Sequence, residues 1–240
     1  MRRFLIVKTG TTVSNVVAQR GDFEAWITRG LGVPAADVEV CRVHEEQALP
    51  ALSELGALAG VVVTGSPAMV TERLPWSERT AQWLREAVLA DVPVLGICYG
   101  HQLLAHAFGG QVADNPKGRH IGTVDVALNA QGSLDPLLGA IGPVLHVAVS
   151  HRQSVLELPK EATLLATAAR DPNHAFSIGK RAWGVQFHPE FDAEIVRGYV
   201  TARRDLINAE GLDASAIEQA ARDTDHGPRV LRRFAELSIK

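Results

Sequence analysis

Short apolar runs alternate with amphipathic stretches along the first 110 residues. Residues 4–8 are aliphatic and stop at Thr9-Gly10, the pattern of a strand and a turn. Within 15–31, Phe23, Trp26, Ile27 and Leu31 share one helical face, and Gly30, Gly32 and Pro34 end it. Residues 37–43 alternate apolar and polar positions, as a second strand does. Residues 51–58 read as a short helix. Residues 60–64, nearly all valine, suit a strand of a parallel sheet covered on both faces. A loop, Gly65-Ser66-Pro67, follows. Residues 78–89 form a helix with Ala81, Leu84, Val88 and Leu89 inward, and 92–97 form a further strand. This alternation predicts an α/β fold, with a doubly wound, mostly parallel central sheet flanked by helices.

After Gly109-Gly110 the pattern changes. Strands are expected over 111–113, 122–128, 144–149, 162–168, 175–178 and 182–187, some of them antiparallel, so the sheet gains a small antiparallel extension. A helical turn is expected at 134–138. Asp192 has the chemistry of an N-cap for a helix over 193–207. Two more helices follow at 213–222 and 229–237, with Gly227-Pro228 breaking them. There is no internal repeat and no low-complexity tract, so a single domain over 1–240 is expected, ending in a helical tail from about 210. Arg222, Arg229, Arg232 and Arg233 alternate with apolar residues there. A packed amphipathic helix explains them; a partner-docking face is the alternative.

Composition removes several classes of function. A formal charge of −3 and a pI near 6.3 leave no basic footprint for nucleic acid. No run of about 18 apolar residues exists, so no membrane span is expected. Met1-Arg2-Arg3 leads straight into a strand, without the apolar core of a signal peptide. Two cysteines, Cys41 and Cys98, make no disulfide framework, and a cytoplasmic protein with free thiols is the expectation. His-Glu-x-x-His and paired Cys-x-x-Cys patterns are absent, and so is a glycine-rich phosphate loop. Neither a metal nor another cofactor is therefore expected.

The chemistry gathers at Cys98. The run 93–97 ends in Gly96-Ile97-Cys98-Tyr99-Gly100, and a helix begins at once. Strand, sharp turn and helix with a nucleophile at the corner make a cysteine version of the nucleophile elbow. Glycines two residues either side accept the backbone angles and crowding of such a turn. The helix N-terminus leaves free N–H groups aimed at the site, part of an oxyanion hole. A thiol nucleophile also needs a base. His101 and His106 share the helix after Cys98 and are read as packed or solvated; His44, His120, His146, His174 and His226 lack a supporting pattern. His151 follows Ser150 at a strand end and is placed to line the site. His188 is the best base. It ends an apolar strand at the expected carboxyl edge, and Glu190 lies two residues on, where a carboxylate can hold the imidazole tautomer.

Gly-Ile-Cys-Tyr-Gly-His-Gln at 96–102 resembles the nucleophile block of triad-type class I glutamine amidotransferases. Gly-Val-Gln-Phe-His-Pro-Glu at 184–190 resembles that family's second block, and Val63-Thr64-Gly65-Ser66-Pro67 its oxyanion loop. The likeness runs over about 4–200 and is nearest to stand-alone proteins similar to the amidotransferase domain of guanosine monophosphate synthase. It implies a flavodoxin-like sheet and the following roles. Cys98 attacks the side-chain amide of glutamine, His188 relays the proton, and Glu190 orients His188. Backbone N–H groups of Gly65 or Ser66 and of Tyr99 hold the oxyanion. Gln102 and the Ser150-His151 block bind the substrate.

Two departures stand out: Gly-Ser-Pro replaces a frequent Gly-Gly-Pro, and the first strand ends in Lys8-Thr9-Gly10 rather than in an acidic residue. The expected activity is hydrolysis of glutamine through a thioester to glutamate and ammonia, with an ammonia-accepting synthetase as partner in trans. A γ-glutamyl peptidase using the same thioester is the alternative. A non-catalytic regulatory protein on the same fold is the third, against which the intact Cys98, His188 and Glu190 weigh.

Overall fold

The computed structural model describes residues 2–239. The first half supplies β1 (Arg3–Lys8), α1 (Ser14–Arg20), α2 (Phe23–Leu31), β2 (Val38–Arg42), β3 (Leu58–Val63), α3 (Pro75–Leu89), β4 (Val94–Ile97) and α4 (Tyr99–Ala107). The second half supplies β5 (Gln111–Asp114), β6 (His120–Leu128), α5 (Ala130–Leu134), β7 (Val144–His151), β8 (Gln153–Glu157), β9 (Ala162–Ala168), β10 (Asp171–Ile178) and β11 (Ala182–Val185). It closes with α6 (Ala193–Ala202), α7 (Arg204–Ala209), α8 (Ala214–Ala220) and α9 (His226–Ile239).

Nine strands form one sheet in the order β2-β1-β3-β4-β11-β10-β9-β6-β7, and β5 pairs with β8 in a separate antiparallel ribbon. From β2 to β11 every pairing is parallel; from β11 to β7 every pairing is antiparallel. The expected doubly wound α/β sheet with an antiparallel extension is therefore present. Its two faces bury separate cores, because successive side chains of a strand point to opposite sides. Phe4 and Ile6 of β1 join α2, α6 and α9 on one face; Leu5 and Val7 join α3 and α4 on the other.

The antiparallel half curls back on the parallel half. Edge strand β7 forms an isolated bridge from Ala148 to His188, whose N–H donates to the Ala148 carbonyl at 2.8 Å. The far end of the sheet thus reaches the segment that follows β11. This closure carries Ser150 and His151 to the carboxyl edge of the parallel strands.

Several boundaries differ from the periodicity. The single helix expected within 15–31 is two, because Gly21 takes φ 82° and Asp22 then caps α2 by accepting from the Phe23 N–H. Residues 51–58 hold a tight 3-10 segment (Leu52–Ala57) rather than an α-helix. The turn expected at 134–138 lies earlier, at α5, where the Asn129 side chain caps the Gly132 N–H. Strand β8 was not expected from the pattern. The 193–207 helix breaks at Arg203, although Asp192 caps its start as expected. Gly227-Pro228 opens the last helix instead of breaking it. Proline costs little in a first helical turn, whose N–H groups lack partners anyway. At Gly227 a Cβ would stand 2.6 Å from the Pro189 carbonyl oxygen, so this helix start packs closely on the loop after His188. No described helix is long and apolar enough to cross a membrane.

The tail's apolar stripe is covered by the chain itself. Val230, Leu231 and Phe234 of α9 are fully buried, and Phe234 meets Phe4 and Trp183. Its arginines reach back to the body: Arg229 donates to the Ala140 carbonyl and Arg233 to that of Pro136. Phe234→Ala is expected to cost about 3–5 kcal/mol. Urea denaturation checks this: the midpoint should fall with the slope unchanged.

Candidate active site

Three adjacent strands, β3, β4 and β11, deliver the candidate residues at their carboxyl ends. The register pairs Val63 with Gly96 and Ile97 with Val185, so the three ends are level. β3 leads to Gly65 and Ser66, β4 to Cys98, and β11 to His188 and Glu190. The site stands where open α/β sheets gather their ligands.

Cys98 sits at φ 52°, ψ −98°, a conformation that a side-chain-bearing residue rarely adopts. Its N–H donates to the Val185 carbonyl at 2.9 Å, and its carbonyl accepts from Gln102 at 3.1 Å. The elbow closes because its flanking glycines carry nothing. A Cβ on Gly96 would lie 2.4 Å from the Gly100 carbonyl oxygen, and one on Gly100 2.5 Å from that of Val63.

Cys98, His188 and Glu190 are all buried and in contact. The Cys98 sulfur and the His188 ring face one another across the same cleft, close enough for the sulfur to raise the ring's pKa. Nδ1 of His188 lies 2.7 Å from Oε1 of Glu190. Phe191 stacks on the imidazole at 4.0 Å between centroids, with Phe23 parallel to it at 6.2 Å. The ring's rotation is therefore fixed by stacking as well as by the carboxylate. Burial by itself lowers the His188 pKa. The Glu190 carboxylate and the Cys98 sulfur more than offset this, and the value is pushed up to about 10.

The loop opposite is held rigidly. Thr9 Oγ1 donates to the Gly65 carbonyl at 2.9 Å, Ser66 Oγ donates to that of Thr9 at 2.7 Å, and the Ala68 N–H donates to Ser66 Oγ at 3.1 Å. Serine in place of a second glycine thus pins the loop by its hydroxyl. The other departure is also accounted for. Lys8 is buried, with Nζ 2.7 Å from Asp22 and 2.8 Å from Glu24, so the charge is satisfied beside the strand end. Tyr99 turns its hydroxyl to Ser77 at 2.6 Å, leaving its backbone N–H, the first of α4, for the cleft.

The cleft has two lobes that share Ser66, Pro67, Cys98, Ser150 and Arg203. One, of about 260 Å³, is polar and reaches Gln102, His151, Arg119 and Arg152. The other, of about 270 Å³, reaches His188, Phe23 and Thr12. All nine candidate residues therefore lie at or beside one site, although Gln102 spends its amide N–H groups on Gln153 (2.7 Å) and Gln186 (3.0 Å). His101 lies packed in the core against Phe176, as expected.

Sequence reasoning missed the arginines. Arg119 is ion-paired with Glu210 and Arg152 with Asp114. Arg203 has no carboxylate partner among the described residues. Its guanidinium stacks on Tyr199 at 4.6 Å, and its buried Nη1 has no hydrogen-bond acceptor there. Burial lowers its pKa. It stands at the break between α6 and α7, which no periodicity marked.

The family description "Glutamine amidotransferase class-I" matches residues 16–201. The chain belongs to this family. A GMP synthase (glutamine-hydrolyzing) of Aeropyrum pernix is 35% identical over 187 residues, which are 78% of this chain and 32% of that protein. The chain thus spans about a third of that relative's length. Gamma-glutamyl peptidase 3 of Arabidopsis thaliana is 31% identical over 163 residues, 66% of this chain and 64% of that one. Among solved structures, a glutamine amidotransferase of Thermotoga maritima superposes with a TM-score of 0.74 at 20% identity, covering 100% of this chain and 99% of that one. That likeness concerns the fold of the family.

The electrostatics make a testable statement. His188 is expected to remain an imidazolium through neutral pH in the folded chain, and Glu190→Gln should lower its pKa, as read by NMR of the ring. Because the folded value is raised, the stabilisation is complete below the unfolded pKa of about 6.5 and fades as pH rises through about 10. The stability lost in Glu190→Gln should therefore be largest below pH 6.5 and shrink toward pH 10.

Proposed function

We propose that this amidotransferase-family chain hydrolyses the side-chain amide of glutamine through a thioester on Cys98. The observation that carries the reading is the buried group of Cys98 at a strained elbow, His188 beside it, and Glu190 hydrogen-bonded to the His188 ring. In the proposed sequence the proton shared by the Cys98–His188 pair already rests on His188, and the sulfur attacks the amide carbon. The oxyanion forms against the backbone N–H groups of Tyr99 and of Ser66 or Gly65, donors worth roughly 3 kcal/mol each to the barrier. His188 gives its proton to the departing nitrogen, and ammonia leaves. Water then attacks the thioester, its proton going to His188, and glutamate is released as the sulfur departs. Glu190 keeps Nδ1 protonated throughout, so Nε2 handles the proton.

Arg203 supplies the cation for the substrate's α-carboxylate, and Ser150 and His151 line the lobe beside it. The ammonia acceptor in this reading is a synthetase in trans, as the GMP synthase relative suggests. The lobe beside His188 supports a second reading, since it leaves volume on the far side of Cys98 for a leaving group larger than ammonia. There the substrate is a γ-glutamyl amide and the product an amine, in keeping with the name of the Arabidopsis relative.

Glutamate release from glutamine and from a set of γ-glutamyl amides separates the two. A preference for glutamine supports the first reading; a clear preference for larger amides supports the second; no release from any substrate overturns both. Cys98→Ala is expected to lower kcat at least about 10³-fold with an unchanged circular dichroism spectrum. Arg203→Met should raise KM about tenfold or more with little change in kcat, the signature of lost ground-state binding.

A further inference from the structure

A second group of titratable residues lies inside the curl of the antiparallel half; of these, His151 also lines the cleft. His151 ends β7, and Asp171 and His174 belong to β10. One ligand atom from each falls within 4.8 Å of the other two, and all three residues are buried. His120, at the start of β6, borders them, with ring centroids 5.5 Å from His151 and 6.2 Å from His174.

The site is built rather than accidental in three respects. First, Asp171 is held in place without being neutralised. Its Oδ2 accepts from Ser154 Oγ at 2.8 Å, its Oδ1 from the Asn173 N–H at 3.1 Å, and Asn115 in turn donates to Ser154 at 3.0 Å. The nearest basic side chain, His174, has Nδ1 4.0 Å from the carboxylate, too far for a hydrogen bond. Second, the His151 tautomer is set. Its Nδ1 lies 2.9 Å from the Gln153 carbonyl and must donate to it, which leaves Nε2 as a free lone pair. Third, that Nε2, both ring nitrogens of His174 and Nδ1 of His120 are buried without partners among the described residues.

A buried carboxylate beside imidazole nitrogens that lack partners is costly unless a cation joins them. The backbone also departs from regularity here: the β9–β10 register shifts between Asp171 and Ala175, and a bulge of this kind re-aims side chains. The geometry points to a site in which His151, Asp171 and His174 bind one divalent transition-metal ion, zinc before others, with water or His120 in the fourth position. Two imidazoles and a carboxylate are a zinc-type donor set. Ligands of a tetrahedral ion at about 2.0–2.1 Å stand roughly 3.3–3.5 Å apart. The absence of sequence-local metal motifs does not bear on this group, because its donors come from two strands that are not neighbours in the sheet. The ion would tie β10 to the end of β7, and so to the wall that carries Ser150.

Titration of the chelator-treated full chain with Co²⁺ and Zn²⁺ tests the proposal. One equivalent of Co²⁺ is expected to give visible ligand-field bands without the near-ultraviolet charge transfer of a thiolate, which would report Cys98 instead. Zn²⁺ at a hundredfold excess over its Kd should raise Tm by roughly 5–10 °C. Asp171→Asn and His174→Gln, each checked for fold by circular dichroism, should lose both responses. Absence of stoichiometric binding to the wild-type chain, binding with thiolate charge transfer, or undiminished binding in a folded variant would each overturn it.

Discussion

The backbone of Cys98 is held where an L-residue resists going, and the surrounding fold supplies the force that keeps it there. Its φ of 52° and ψ of −98° persist because Val185 fixes the N–H, Gln102 fixes the carbonyl, and the chain passes Gly96 and Gly100 at distances that forbid a methyl group. Such strain is kept only where neighbouring structure over-determines it. Here the neighbours are β3 and β11, the two strands that flank β4. The same constraint that lifts the thiol above the sheet therefore also places the Ser66 loop on one side and His188 on the other.

Sheet closure is the second determinant. A parallel sheet alone would present Cys98 to an open edge. The antiparallel strands return to meet it, and the Ala148–His188 bridge anchors the base to β7 rather than to its own strand. One hydrogen bond thus sets both the base and the wall containing Ser150 and His151. The α9 start, pressed against the Pro189 carbonyl, supports the same loop from behind. The tail, which lies beyond the matched family region, contributes to the site through this packing.

What the sequence made legible was local. Gly96-x-Cys98-x-Gly100 and His188-x-Glu190 each express a geometry within a few residues, and the geometry follows from strand and turn rules. The strands themselves announced their positions by apolar runs. Features set by distant contact were silent. The α1–α2 break at Gly21-Asp22 fell inside the span read as one helix, whose apolar face, Phe23 to Leu31, lies wholly after it. β8 owes its pairing to β5, some forty residues earlier, and its own pattern is weak. Arg203 looked like one more charge on a helix, because its place over Tyr199 depends on where α6 stops. His120 and His174 carried no pattern because their partners lie on other strands.

The chain contains two histidine–carboxylate pairs in buried surroundings, and they behave oppositely. At His188 the carboxylate is 2.7 Å from the ring and the sulfur lies on the other side, so burial is overcome and the imidazolium is favoured. At His174 the carboxylate is 4.0 Å away and already engaged by Ser154 and Asn173, so burial prevails and the ring's pKa is held well below the usual histidine range. Coulomb attraction in a low-dielectric interior is strong in both places. The difference is that a direct hydrogen bond lets Glu190 share a proton with His188, whereas Asp171 is hydrogen-bonded to Ser154 and Asn173 and not to His174. The first arrangement suits proton transfer. The second leaves a hydrogen-bonded carboxylate and unpartnered ring nitrogens within 4.8 Å of one another, the grouping on which the proposed cation site rests.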